Sequence, residues 1–174
     1  MERPKMAGAD ELLDPVRFRT FYDRALPMVY GYLWRRCGRS EEVAMDLTQD
    51  TFLGAVKSLR AGQSVVDPSA WVMSLARRRL VDFYRRREVR HRAHPQLESQ
   101  ASPLDETSAA DARILSALEA VPGHYRLALI LRYVDDLSVS ETAELLGRSV
   151  AATESLLARA RTALAGEYEE QSDE

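Results

Sequence analysis

The sequence predicts an all-α chain of two small helical domains joined by a flexible linker, and three observations carry this. Apolar residues recur at three- and four-residue spacing in nearly every segment between Phe18 and Leu164. No stretch alternates Val, Ile and Thr with polar residues between hairpin turns. Composition then breaks sharply between Ala93 and Ala110, where AHPQLESQASPLDETSAA holds two prolines, no aromatic and almost nothing to bury.

Size and composition set the outer bounds. A chain of 174 residues, 45% hydrophobic and 29% charged, suits one large or two small domains and excludes wholesale disorder. No apolar run approaches the roughly 20 residues needed to span a bilayer, and MERPKMAGADELLD has no hydrophobic signal core. The expectation is a cytoplasmic protein without membrane insertion. The single cysteine, Cys37, has no partner for an internal disulfide and reads as a half-buried helical thiol.

Each helix has a start signal, a stripe and a stop. Asp14 and Pro15 open a first helix striped by Phe18, Phe21, Tyr22 and Leu26. Pro27 reads as opening a second, PMVYGYLWRRCG, with Val29, Tyr30, Leu33 and Trp34 inward and Gly38 as a left-handed stop. Ser40, with Glu42 and Val43 behind it, begins SEEVAMDLTQDTFLGAVKSLR, striped by Val43, Leu47, Phe52, Ala55, Val56 and Leu59. The loop AGQSVVDP leads into a basic helix begun by Pro68 and Ser69 and striped by Trp71, Val72, Leu75, Ala76, Leu80, Phe83 and Tyr84. Beyond the linker, DARILSALEAV regains helical periodicity. Pro122 starts GHYRLALILRYV, with Leu127, Ile130, Leu131 and Val134 on one side. Ser138 and Glu141 form a capping box for SVSETAELLG, whose inner face is Ala143, Leu145 and Leu146 and whose stop is Gly147. Ser149 caps VAATESLLARARTAL.

Two of these segments carry chemistry. Between Arg77 and Arg92 stand eight arginines against Asp82 and Glu88, in a chain whose formal net charge is -3. Guanidinium groups beside aromatic edges suit a polyanion with bases to stack, which means nucleic acid, single strands included. A core helix with a solvated arginine face is the plainer reading of the same run. Local charge outweighs the overall pI of about 5.7, because the tail EYEEQSDE is a separate acidic patch. Two short helices around a glycine turn, the second bearing arginines, match the helix-turn-helix pattern, for which a simple helical hairpin is the alternative.

Three segments in order resemble one family, the extracytoplasmic-function (ECF, group IV) sigma factors of bacterial RNA polymerase. DLTQDTFLGAVKSL resembles the polymerase-binding segment and AWVMSLARRRLVDFYRRR the promoter-melting helix. LRYVDDLSVSETAELLGRSVAATESLLARARTAL resembles the C-terminal helix-turn-helix, so the match runs from about Phe18 to Leu164. The resemblance implies sigma region 2 at residues 14–92, a linker at 93–110 and sigma region 4 at 111–165. It implies an alternative sigma factor that binds core polymerase and directs promoter-specific initiation. Asp46, Gln49 and Phe52 match the family's D-x-x-Q-x-x-F positions; with Asp50, Leu53 and Val56 they would dock on polymerase, although Phe52 also suits a core position. Gln63, Ser64, Val65, Val66 and Asp67 would pocket a flipped minus-ten base, with Trp71, Arg77, Arg78, Arg85 and Arg86 beside them. Arg148, Ser149, Ala151, Ala152, Glu154, Ser155 and Arg159 would face the minus-35 element.

The chain departs from the family pattern twice. Arg78 stands where many members carry asparagine, which favours phosphate over base-edge contact. Glu154, Ser155 and Leu156 replace the usual K-S-R cluster, and from Val121 to Leu164 five arginines balance five carboxylates. This neutral domain should bind free duplex weakly. Glu154 either accepts from a cytosine amine or points to solvent, with solvent the favoured reading. The resemblance also implies an anti-sigma factor, expected to cover Leu47, Leu53 and Val56 together with Leu145, Leu156 and Leu157. No catalytic triad order, phosphate loop or metal-ligand set is present, and His91, His94 and His124 do not complete one, so no enzyme activity, cofactor or metal is expected. A stand-alone helix-turn-helix regulator and a helical protein-binding adaptor are the alternatives.

Overall fold

The computed structural model describes Leu12, residues 14–93 and residues 109–170. Most of the expected linker, His94, the side chain of His91 and the last four residues of the acidic tail lie outside the described residues. Among the described residues there are seven α-helices, one π-helical turn and no strand. They are α1 (Pro15–Arg36), α2 (Glu41–Arg60), α3 (Pro68–Ala93), α4 (Ala109–Ala120), α5 (Gly123–Leu129), the π-helical turn Ile130–Val134, α6 (Val139–Leu146) and α7 (Val150–Glu170). The chain divides into two compact units inside α3, one ending at Leu80 and one beginning at Val81.

In the first unit, Asp14 caps α1 by accepting from the main-chain N–H groups of Val16 and Arg17 at 3.1 and 2.9 Å. The helix then runs straight through Pro27, which opens no second helix. Proline inside a helix loses one rung of the hydrogen-bond ladder at a cost of about 3 kcal/mol. Here Ala25, Val29, Tyr32 and Leu33 are buried on one continuous stripe across that point, and the exposed proline ring lies on the other side. Packing overrides the local preference.

Ser40 caps α2 by accepting from Val43 N–H, and the helix buries Ala44, Leu47, Thr48, Thr51, Phe52, Ala55 and Leu59. Its two buried threonines donate to the carbonyls of Ala44 and Leu47, each at 2.7 Å, so neither hydroxyl is left unpaired. Phe52 meets the ring edges of Tyr22 and Phe21 at centroid distances of 4.6 and 6.4 Å. A β-carbon at Gly54 would stand 2.8 Å from Arg79 Nη2, so the glycine lets the α3 arginine cross α2. Leu12, Leu59 and Val65 form a buried cluster against which Phe18, Phe21 and Trp71 pack.

In the second unit, Leu127 to Leu131 are buried at five consecutive positions, too many for a one-faced helix, and the backbone widens there into the π-helical turn. The sequence signals Pro122 as a start but not this widening. Ser138 and Glu141 complete the capping box of α6, and Gly147 ends it at φ +59°. Ser149 accepts from Ala152 N–H at the start of α7. That helix continues to Glu170 rather than ending near Leu164, and the Arg113 guanidinium sits 4.6 Å over the Tyr168 ring on the added length. Leu47, Leu156 and Leu157 are 4%, 3% and 5% exposed. These three leucines are spent on their own cores and cannot form the apolar face expected for an inhibitor.

Candidate functional site

The outward strip of α2 carries Met45, Asp46, Gln49, Asp50 and Leu53. Leu53 is 58% exposed and Met45 47%, two large apolar side chains held between carboxylates and an amide. Phe52 is 6% exposed and points into the aromatic cluster, while Val56 is half-buried at the edge of the strip. Of the six residues expected on this surface, four share one open face, because Gln49 and Leu53 are one helical turn apart whereas Phe52 is rotated from Leu53 by a full residue step. Met45 lies at i−4 from Gln49 and Leu53 at i+4, so helical spacing puts both on the face of that glutamine.

The loop before α3 splits in the same way. Gln63, Ser64 and Val66 are exposed, Val65 is buried at 2%, and Asp67 caps α3 by accepting from Ser69 and Ala70 N–H at 2.9 and 3.0 Å. Val65 thus anchors the loop, and its neighbours present it. Trp71 is half-buried against that anchor, with an indole N–H that meets no acceptor among the described residues. Arg77 is half-buried; Arg78, Arg85 and Arg86 are exposed. Arg85 donates to the Leu146 carbonyl at 2.8 Å and lies 3.9 Å from Asp82, and three residues further along Glu88 meets His124 Nδ1 at 3.2 Å.

The α6–Gly147–α7 segment has helix-turn-helix geometry. Thr153, Leu156, Leu157 and Ala160 are buried, which leaves Val150, Ala151, Glu154, Ser155, Ala158 and Arg159 on the outer arc of α7. Ala152 is half-buried, while Arg148 and Ser149 are exposed just before the helix. Arg159 turns back, donating through Nε to the Ser155 carbonyl at 3.3 Å, and Arg161 donates to the Tyr133 hydroxyl at 3.3 Å. Leu156, one of the family departures, is simply core. Among the described residues no His, Cys, Asp and Glu group could hold a metal ion, and no helix is long and apolar enough to cross a membrane.

Residues 21–90 match the sigma-70 region 2 family, and residues 111–164 match sigma-70 region 4. The ECF RNA polymerase sigma factor BldN of Streptomyces coelicolor is 30% identical over 95% of this chain, which spans 63% of BldN's length. RNA polymerase sigma factor YlaC of Bacillus subtilis is 28% identical over 84% of the chain and 87% of YlaC. The ferric citrate uptake sigma factor FecI of Escherichia coli is 30% identical over 67% of the chain and 71% of FecI. The fold is that of the sigma factor RpoE crystallised with the anti-sigma factor NepR from Bartonella quintana, at a TM-score of 0.61 and 19% identity over 87% of this chain and 96% of that one. Two sigma-70 regions in order, on an all-α frame with a helix-turn-helix and an arginine-rich helix, place this chain in the sigma-70 family, among the extracytoplasmic-function sigma factors of bacterial RNA polymerase.

Proposed function

We propose that this sigma factor docks on core RNA polymerase through Asp46, Gln49, Asp50 and Leu53, and directs where transcription starts by holding two promoter elements. Residues 14–92 serve the polymerase and the minus-ten element, and residues 111–165 the minus-35 element. The observation that carries the docking reading is Leu53, a large apolar side chain left 58% exposed on a helix that otherwise buries its leucines. Such a residue inside a polar rim suits a helix-on-helix interface. Gln63, Ser64 and Val66 shape a base pocket raised on the Val65 anchor, and the arginines of α3 hold phosphates. The protein performs no chemistry of its own and works in the cytoplasm, as the partner of polymerase and promoter DNA.

An anti-sigma factor is the regulatory partner of this reading, supported by the complex of RpoE with NepR. It competes for Met45 and Leu53, the apolar side chains that α2 leaves open.

Run-off transcription tests the proposal. Core enzyme supplemented with this protein initiates at defined sites, whereas the protein alone leaves free duplex unshifted. A clean shift of duplex without polymerase, and no initiation with it, identifies a stand-alone regulator instead.

A further inference from the structure

The outer arc of α7 is unusual for a DNA-reading surface in that an acid stands where cations usually do. Glu154 is exposed, one turn beyond Val150 and one before Ala158, and nothing among the described residues is bonded to it. Of the three nearby arginines, Arg159 donates through Nε to the Ser155 carbonyl, Arg161 donates to the Tyr133 hydroxyl and Arg148 stands exposed before the helix, and none of them is paired with Glu154. Around the carboxylate the arc is small, with Ala151 and Ala158 at its centre, so the helix can approach a groove floor closely. The first two turns of a recognition helix are the ones that reach base edges. A carboxylate placed there accepts hydrogen bonds and cannot donate.

Against the solvent reading that the sequence alone favours, we propose that Glu154 is a specificity-determining residue that reads a cytosine of the minus-35 element through its exocyclic amine. The inference rests on the assignment of α7 as the minus-35 recognition helix. In the major groove, cytosine presents an amine donor. Adenine presents its amine beside the N7 acceptor, and guanine and thymine present only acceptors and, for thymine, a methyl group. A carboxylate brought against guanine meets two acceptors with its own charge unpaired. The order of preference at the contacted position is therefore cytosine first, adenine second, thymine third and guanine last. A carboxylate that merely faced the phosphates would instead weaken binding to every sequence alike.

The test uses the full chain with core polymerase and a promoter library randomised through the minus-35 element, read by sequencing of run-off transcripts. The wild-type chain should enrich cytosine over guanine at one position by about tenfold or more, since a good base-edge contact is worth about one decade of discrimination. Glu154→Gln should move that preference to adenine at the same position, because an amide both donates and accepts. Glu154→Ala should flatten that position and leave the others as they were. All three should melt together in circular dichroism, since the side chain is exposed and unbonded. An unchanged base profile in both variants, or a uniform rise in output across the library, overturns the inference while the sigma-factor reading stands. Absence of any initiation by the wild-type chain with core enzyme brings down that reading and this inference together.

Discussion

The Arg85 guanidinium donates through Nη2 to the main-chain oxygen of Leu146 at 2.8 Å, a hydrogen bond across 61 positions of sequence. Leu146 ends α6, so its carbonyl is one of those a helix terminus leaves without an internal partner, and a cation there also complements the helix dipole. Gly147 follows at φ +59°, and a β-carbon on it would come within 3.3 Å of the same nitrogen. Arg85→Ala should therefore lower stability by about 1 kcal/mol, the small value expected of a half-exposed charged donor. Urea denaturation checks this, and Arg85→Lys should recover part of the loss.

The α2 strip separates binding from folding. Replacing Gln49 and Leu53 together by alanine should weaken capture of core polymerase at least tenfold with little change in melting temperature, because both side chains point outward. Phe52→Ala removes a ring packed between Tyr22 and Phe21 and should cost about 3–5 kcal/mol. Pull-down and thermal melting of the two proteins side by side test both halves.

Phosphate contacts can be counted by salt. Arg78 and Arg86 are exposed on α3, and each change to alanine should reduce the slope of log affinity against log salt by about 0.7 for single-stranded DNA. Fluorescence anisotropy of a melted promoter segment bound to holoenzyme measures it. A slope unmoved by both changes would make this arginine face a solvated surface.

Burial pushes the Cys37 thiol up from its ordinary 9.0 to about 11, against the small opposing effect of main-chain hydrogen bonding. The folded thiol keeps its proton where the unfolded one begins to lose it. Its contribution to stability is therefore complete below about pH 9 and declines as pH rises toward about 11. Alkylation at neutral pH should be slow in the native protein and fast in urea. The fall in stability above pH 9 should be shallower in Cys37→Ala.

Helix boundaries were legible wherever one side chain satisfies the end of a helix, as at Asp14, Ser40, Ser138, Gly147 and Ser149. They were illegible where packing decides. Pro27 carries a strong local signal for a helix start, yet the stripe from Ala25 to Leu33 holds one helix through it. Four residues of the open face of α2, Asp46, Gln49, Asp50 and Leu53, are legible through the family resemblance, which also brings in the buried Phe52 and the half-buried Val56 and passes over the exposed Met45. The burial of Val65 is not legible, because a valine in a short loop carries no period to say that it turns inward. In the sequence Leu156 stands as a departure in the recognition surface, although its place one position before Leu157 and four before Ala160 puts it on the buried arc of α7.

The π-helical turn at Ile130–Val134 also bears on how this chain can vary in length. Asp135 N–H reaches back five residues to the Ile130 carbonyl at 2.9 Å, so the turn holds one residue more than an α-helix would. Loss of a single residue here would let the Asp135 N–H close an ordinary four-residue turn on the same Ile130 carbonyl, so the widened turn can give up its extra residue while the chain that follows keeps its phase. The Leu137 N–H on the Leu131 carbonyl, which sets the approach to Ser138, would be kept. A one-residue gap in this stretch is thus the length change that disturbs the following capping box least, provided that the buried Ile130 and Leu131 are not the residues lost.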